Sequence, residues 1–278
     1  MRPYPSLPSF EDAASTLLDG GHLWLQEYVP GPILGVKMDD SGMLTFSVDG
    51  SEFADPPPSL VRTVEHVRKR FDRDRFRSGV SSVDDFVFYG IATRNEGREY
   101  EWSDVAPFLG LDIWSFGEGR YVSPDVTERV FSTIGLDPVP AFRKEVPSQQ
   151  FHPASFDVPT SHWGNDPAAG LIVRNKRGSI AVYGYDPPKA DPGPVEDLDA
   201  TVKPFVSRNL DRVLEELGAD VRAIDDDVLA DRLFEIVARV GFYRLASSLE
   251  REPTAVRQSV GSVARSLVRT RLADGDAP

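Results

Sequence analysis

Apolar and polar residues change rhythm several times along this chain. Leu23, Leu25 and Val29 partly alternate with polar neighbours, the period-two pattern of a strand, and Pro30-Gly31-Pro32 ends it. Ile33 to Met38 and Met43 to Val48 predict two more strands, joined by the turn Asp39-Asp40-Ser41-Gly42. Beyond the rigid stop Pro56-Pro57-Pro58, Leu60, Val64, Val67 and Phe71 recur at helical spacing, with Arg62, Arg68, Lys69, Arg70 and Arg73 on other faces. Asp85 to Ala92 and Pro107 to Trp114 predict buried strands, separated by a polar loop from Arg94 to Ser103. Asp125 to Ile134 predicts a short helix closed by Gly135. Val139 to Phe142 is a further candidate strand. The proline-bearing stretch from Pro147 to Pro167 lacks periodicity and is expected to be a surface connection. Ala169 to Asn175 and Ser179 to Tyr185 predict a hairpin around Lys176-Arg177-Gly178.

After Pro187 to Val195 (PPKADPGPV) the period becomes helical, over Phe205 to Leu217, Asp226 to Phe242 and Thr254 to Ala273. The polar tail after Ala273 is expected to fray. The organisation expected is a mostly-strand α+β domain over 1–186, a linker over 187–200 and a small all-α domain over 201–278. No internal repeat is present.

Composition narrows the chemistry. The chain has 278 residues, 40% of them hydrophobic, enough for one large domain or one domain plus a smaller one. No apolar run approaches the ~20 residues that cross a bilayer, and the N-terminal MRPYPSLPSF has no apolar segment of a secretory signal. The absence of cysteine excludes disulfides, thiolate catalysis and cysteine-ligated zinc. His22, His66, His152 and His162 show no metal spacing, and His152 and His162 read as ordinary loop residues. The net charge is −13, and only six of the 31 basic residues are lysine. An acidic, arginine-rich, cysteine-free chain suggests a cytoplasm at high salt, where excess carboxylate maintains solubility. The same balance weighs against general nucleic-acid affinity but leaves room for a local basic groove.

Taken in order, five segments carry a resemblance. They are Glu27-Tyr28-Val29-Pro30-Gly31, Tyr89-Gly90-Ile91, Phe108-Leu109-Gly110-Leu111-Asp112, Ala169-Gly170-Leu171-Ile172-Val173-Arg174 and Ala181-Val182-Tyr183. Over Pro5 to about Asp186 the sequence resembles the nucleotidyltransferase domain of RNA ligases, DNA ligases and capping enzymes, most of all the ATP-dependent RNA ligases. The resemblance implies antiparallel sheets with flanking helices. In that family the motifs read E-K-x-D/H-G, F-G-E, F-x-x-F/L-D and E-G-V-V-I-R, with a lysine on the last strand. The first lysine attacks the α-phosphate of ATP and carries the adenylate. The two later glutamates hold the ribose and a metal, the last lysine neutralises phosphate charge, and an aromatic ring covers the purine.

Here the reactive lysine is replaced by Tyr28, the acidic or histidine position by Pro30, the ribose carboxylate by Ile91 and the metal carboxylate by Ala169; Val182 stands near the last lysine's place. Gly31, Gly90, Gly170, Asp112 and Arg174 remain. The expectation is therefore an RNA-ligase-like protein without ligase chemistry, acting as a binding or regulatory module, with RNA or an active RNA ligase paralogue as partner. No cofactor or metal site is expected on that reading. ATP and Mg²⁺ enter only under the alternative, an active ligase using an unrecognised nucleophile such as Tyr28 or Lys37. A purely structural or protein-interaction domain is the third reading. Gly31, Tyr89, Phe108 and Arg174 are the candidate nucleotide contacts, with core packing the competing role for Tyr89 and Phe108. Lys176 and Arg177, and Arg257, Arg265 and Arg269 on the last helix, are the candidate RNA contacts, with solvated faces as the competing reading.

Overall fold

A computed structural model describes residues 1–187, 193, 195–218 and 224–274. It divides into two compact units: 1–55, 63–93 and 98–187 form the first, and 56–62, 94–97 and 188–278 the second. Residues 188–192 and 194 of the expected linker, and 275–278 of the expected frayed tail, lie outside the described residues.

The first unit is built on two antiparallel sheets. One has four strands in the order β10-β9-β1-β8, where β1 is His22–Tyr28, β8 Ala141–Pro147, β9 Gly170–Asn175 and β10 Ile180–Tyr183. The other has six, in the order β4-β3-β2-β5-β6-β7, from β2 Ile33–Met38, β3 Leu44–Val48, β4 Ser51–Phe53, β5 Phe86–Ala92, β6 Phe108–Ser115 and β7 Arg120–Tyr121. Helices α1 (Phe10–Leu17), α3 (Arg73–Gly79) and α4 (Pro124–Thr133) complete it, with α2 (Pro58–Arg70) running from the second unit's residues into the first.

Period-two alternation sorts these strands into faces. On the four-stranded sheet, Leu23, Leu25, Leu171, Val173 and Ala181 point one way, into a core with Phe10, Leu17, Val146 and Phe151. Trp24, Gln26, Tyr28, Gly170, Ile172, Arg174 and Val182 point the other way. On the six-stranded sheet, Phe88 packs edge-on against Phe71, Phe76 and Phe131 from the helices. The opposite face carries Gly35, Ser47, Tyr89, Ile91 and Asp112.

Helix α1 was not anticipated, although its start is signalled. Ser9 caps it by accepting the Asp12 amide, in a Ser-x-x-Asp pattern. The stretch from Pro147 to Pro167 is less of a surface connection than expected: β8 runs into it, and Phe151 and Ser161 are buried.

The second unit, described by itself, is helical: α5 (Leu198–Leu217), α6 (Asp226–Val240), α7 (Phe242–Arg251) and α8 (Pro253–Asp274). Helix α5 begins seven residues before the expected Phe205 because Asp197 caps it, accepting the Ala200 amide, and the helix carries Pro204 inside. The expected helix over Asp226 to Phe242 stops at Gly241, whose amide donates to Val237. Phe242, Leu245 and Leu249 then repeat at helical spacing in α7, and Pro253 opens α8.

Candidate functional site

The inner faces of the two sheets meet across Arg174 and Asp112. Arg174 is 3% exposed; its Nη2 donates to both Asp112 carboxylate oxygens at 3.0 Å and its Nη1 to the Leu111 carbonyl at 2.8 Å. Tyr4 donates to Asp112 Oδ2 at 3.0 Å. The Arg174 Nε has no hydrogen-bond partner among the described residues. Burial acts to lower the Arg174 pKa, but Asp112 and Tyr4 beside it together outweigh this, so the guanidinium stays charged. Arg174, a candidate nucleotide contact two residues before Lys176 at the hairpin tip, does not share the exposure of Lys176 and Arg177. It is instead interior, because its strand position points toward the other sheet.

Each of the other motif positions is packed or paired within the protein. Tyr28 pairs across strands with Gly170, and its half-buried ring stands edge-on to Tyr185, centroids 4.8 Å apart. Pro30 is buried. Ile91 is fully buried, with its Cγ2 3.2 Å from where a Gly31 Cβ would sit. Ala169 is 1% exposed, and its amide donates to the Tyr100 hydroxyl at 2.7 Å. Val182 is half-buried, and its amide donates to Pro8. Lys37 lies four residues along β2 from Ile33, about 13 Å at strand rise, and pairs with Asp84 at 3.3 Å.

The candidate aromatic contacts are both engaged in packing. Phe108 lies over Gly90 on the helix side of its sheet, where a Cβ at residue 90 would approach its ring to 2.2 Å. It points away from the inter-sheet face. Tyr89 does line that face, but Tyr4 covers it at 4.9 Å, and the Tyr89 hydroxyl donates to the Arg2 carbonyl. Burial pushes the Tyr89 hydroxyl well above the ordinary phenol range. Arg2 in turn lies over the Trp114 ring at 3.8 Å. Residues Arg2 to Ser9 thus form a strap along the inner faces, from Trp114 to the bridge between Ser9 and Val182.

Gly31, with φ 153°, turns the chain where a Cβ would reach the Ala92 carbonyl oxygen at 2.1 Å. Glu27 points to the opposite face from Tyr28 and is fully buried. Its carboxylate accepts from the Ser161 hydroxyl at 2.6 Å and the His162 amide at 2.9 Å, and lies 2.6 Å from His162 Nδ1. The His162 ring stacks on Phe142. The tight association of His162 with Glu27 was not foreseen from its place in the loop, nor was the strap from Arg2 to Tyr4, since neither has a local sequence signature.

Of the candidate RNA contacts, Lys176 pairs with Glu145 and Asp125, and Arg177 with Asp19. Arg257 pairs with Asp227 and Asp231, while Arg265 and Arg269 are exposed on α8. Among the described residues no group of three histidines or carboxylates could hold a metal ion, and no helix is long and apolar enough to cross a membrane.

No family model matches this sequence, and no curated protein matches it. Solved structures do match. An apo mutant of the Naegleria gruberi RNA ligase aligns with a TM-score of 0.51 at 13% identity, over 66% of this chain and 56% of that one. The Naegleria gruberi RNA ligase with PPi gives 0.48 at 13% identity, over 66% and 58%. An archaeal ATP-dependent RNA ligase gives 0.48 at 16% identity, over 89% and 65%. The chain therefore spans little more than half the length of the Naegleria ligase structures. At such identities the likeness is one of fold.

Proposed function

We propose, from the premise that this chain has the RNA-ligase-like nucleotidyltransferase fold, that it forms no covalent adenylate and serves as a binding or regulatory module. One observation carries the reading. The charged motif residues that survive are those with partners inside the protein, and those that would touch nucleotide or metal are gone. Glu27 is held by Ser161 and His162, and Asp112 and Arg174 hold each other. Tyr28, Ile91, Ala169 and Val182 stand where the resemblance places a nucleophile, two carboxylates and a second lysine. Retaining Asp112 and Arg174 ties the two sheets together and retaining Glu27 holds the segment at Ser161 and His162, while losing the second set removes the amine that attacks phosphorus and the charges that stabilise its transition state.

ATP with a divalent metal does not fit the residues present. Tyr4 covers the Tyr89 face on which a purine would stack, and the Asp112 carboxylate is already bound by Arg174 and Tyr4. A phenol of ordinary pKa about 10 at Tyr28 is a weak nucleophile without a base beside it. The module would act in a cytoplasm of high ionic strength, on RNA or beside an active ligase. The test is incubation with α-labelled ATP and Mg²⁺ or Mn²⁺, followed by denaturing electrophoresis. No label on the protein is the expected result, and label that survives denaturation contradicts it.

A further inference from the structure

A concentration of positive charge on this acidic chain lies away from the inter-sheet faces. Residues 68–77, RKRFDRDRFR, hold six cations and two carboxylates, a net of +4 within a chain of −13. They form the last turn of α2 and most of α3, on the helix-covered side of the six-stranded sheet. Cations in the last turn of a helix favour its dipole, which accounts for Arg68, Lys69 and Arg70 in part. It does not account for the three arginines that follow.

How these side chains are held is informative. Arg70 Nε donates to the Gly135 carbonyl at 3.0 Å. Arg73 donates to the carbonyls of Gly42, Arg68 and Phe71. Arg68 lies over the Phe46 ring at 5.3 Å, and Lys69 is exposed. These four are held by backbone carbonyls or an aromatic ring, or extend to solvent, and among the described residues no carboxylate forms an ion pair with them. Arg75 and Arg77 do pair, with Asp72 and Asp74. Beside them a groove of about 570 Å³ is lined by Met43, Phe46, Phe53, Glu52, Arg68 and Arg73. Met43 is 65% exposed at its rim.

We propose that this ridge and groove bind single-stranded RNA, the cations taking successive phosphates and the groove taking a base. Carbonyl-anchored guanidiniums are pre-positioned phosphate donors. Alternating anions and flat rings match a cationic ridge beside a groove whose lining includes Met43, Leu44 and Phe53 along with Arg68 and Arg73, the pairing by which single strands are held. An acidic peptide would satisfy the cations and leave the groove unused. The groove also supplies the part of binding that salt does not screen. The proposal is independent of the reading of Tyr28: it stands or falls on RNA affinity, and that reading on adenylation.

The test is fluorescence anisotropy of a labelled 12-nucleotide RNA with the full chain, titrated between 50 and 300 mM KCl. Four unneutralised cations predict log K falling with log salt at a slope near −3, taking about 0.7 per phosphate. Arg68→Gln with Lys69→Gln should lower affinity about tenfold at 100 mM KCl and reduce the slope's magnitude by about 1.4. Neither substitution removes a hydrogen bond that anchors the fold, and an unchanged melting curve checks this. Lys176→Gln with Arg177→Gln should leave both quantities unchanged. Three results overturn the proposal: no binding by the unsubstituted chain at 50 mM KCl, equal loss in both double variants, or displacement of RNA by poly-glutamate as readily as by unlabelled RNA.

Discussion

Replacing Arg174 with methionine removes the cation that pairs with Asp112 in the interior. Three hydrogen bonds go with it, two to the carboxylate at 3.0 Å and one to the Leu111 carbonyl at 2.8 Å. Asp112, 2% exposed, keeps the Tyr4 hydroxyl as its side-chain donor. Breaking a buried pair by deleting one partner costs about 3–5 kcal/mol, because the remaining charge stays desolvated. Against a domain stability of about 5–15 kcal/mol this is a large share. With a urea m-value of about 2 kcal/mol/M, the midpoint should fall by about 2 M. The four tryptophans, Trp24, Trp102, Trp114 and Trp163, all lie in the first unit, so their fluorescence follows that unit's unfolding without contribution from the helical one. The double variant Arg174→Met/Asp112→Leu should recover most of the loss, since paired apolar replacement is often near neutral. A single-variant cost below about 1 kcal/mol would refute the reasoning, as would a double variant no better than the single one.

Other outcomes follow from the same contacts. Trp24 Nε1 donates to Glu145 at 2.8 Å, and this bond, with help from Lys176, holds the Glu145 carboxyl below its usual 4.5. The stabilisation is therefore complete above pH 4.5 and is lost as pH falls through the lower folded value; the Trp24 indole proton resonance should shift there, and Glu145→Gln should abolish the step. Gly90→Ala drives a methyl to within 2.2 Å of the Phe108 ring, and should cost about 1–3 kcal/mol of overpacking by the same urea assay. Burial raises the Tyr100 hydroxyl to about 12; ultraviolet titration of Tyr100→Phe should lack one late-ionising phenol. Tyr28→Lys should remain unlabelled by α-labelled ATP, because Ile91 and Ala169 still offer no charge; labelling of that variant would mean the other losses are immaterial.

The strands that frame the site were legible because each carries its own apolar run and breaker. Pro30-Gly31-Pro32 ends β1 and Gly135 closes α4, both as expected. The motif order then identified the fold. What escaped was non-local. Tyr4 reaches Asp112 across 108 positions and Glu27 reaches His162 across 135, and no periodicity encodes such pairings. Phe108 illustrates a different difficulty. Its strand was clear, but which way its ring points depends on the irregular register between Tyr89 and Gly90. Helix α5 starts before the expected Phe205 because Asp197 caps it, and Pro204 is accommodated inside.

The central claim is that the ligase frame persists here without its nucleophile. Intact-protein mass spectrometry after prolonged incubation with ATP and Mn²⁺ tests it most directly. The account predicts a single species at the mass of the unmodified chain. A species heavier by one adenylyl group, mapped by peptide sequencing to Tyr28, Lys37 or any other side chain, would contradict it.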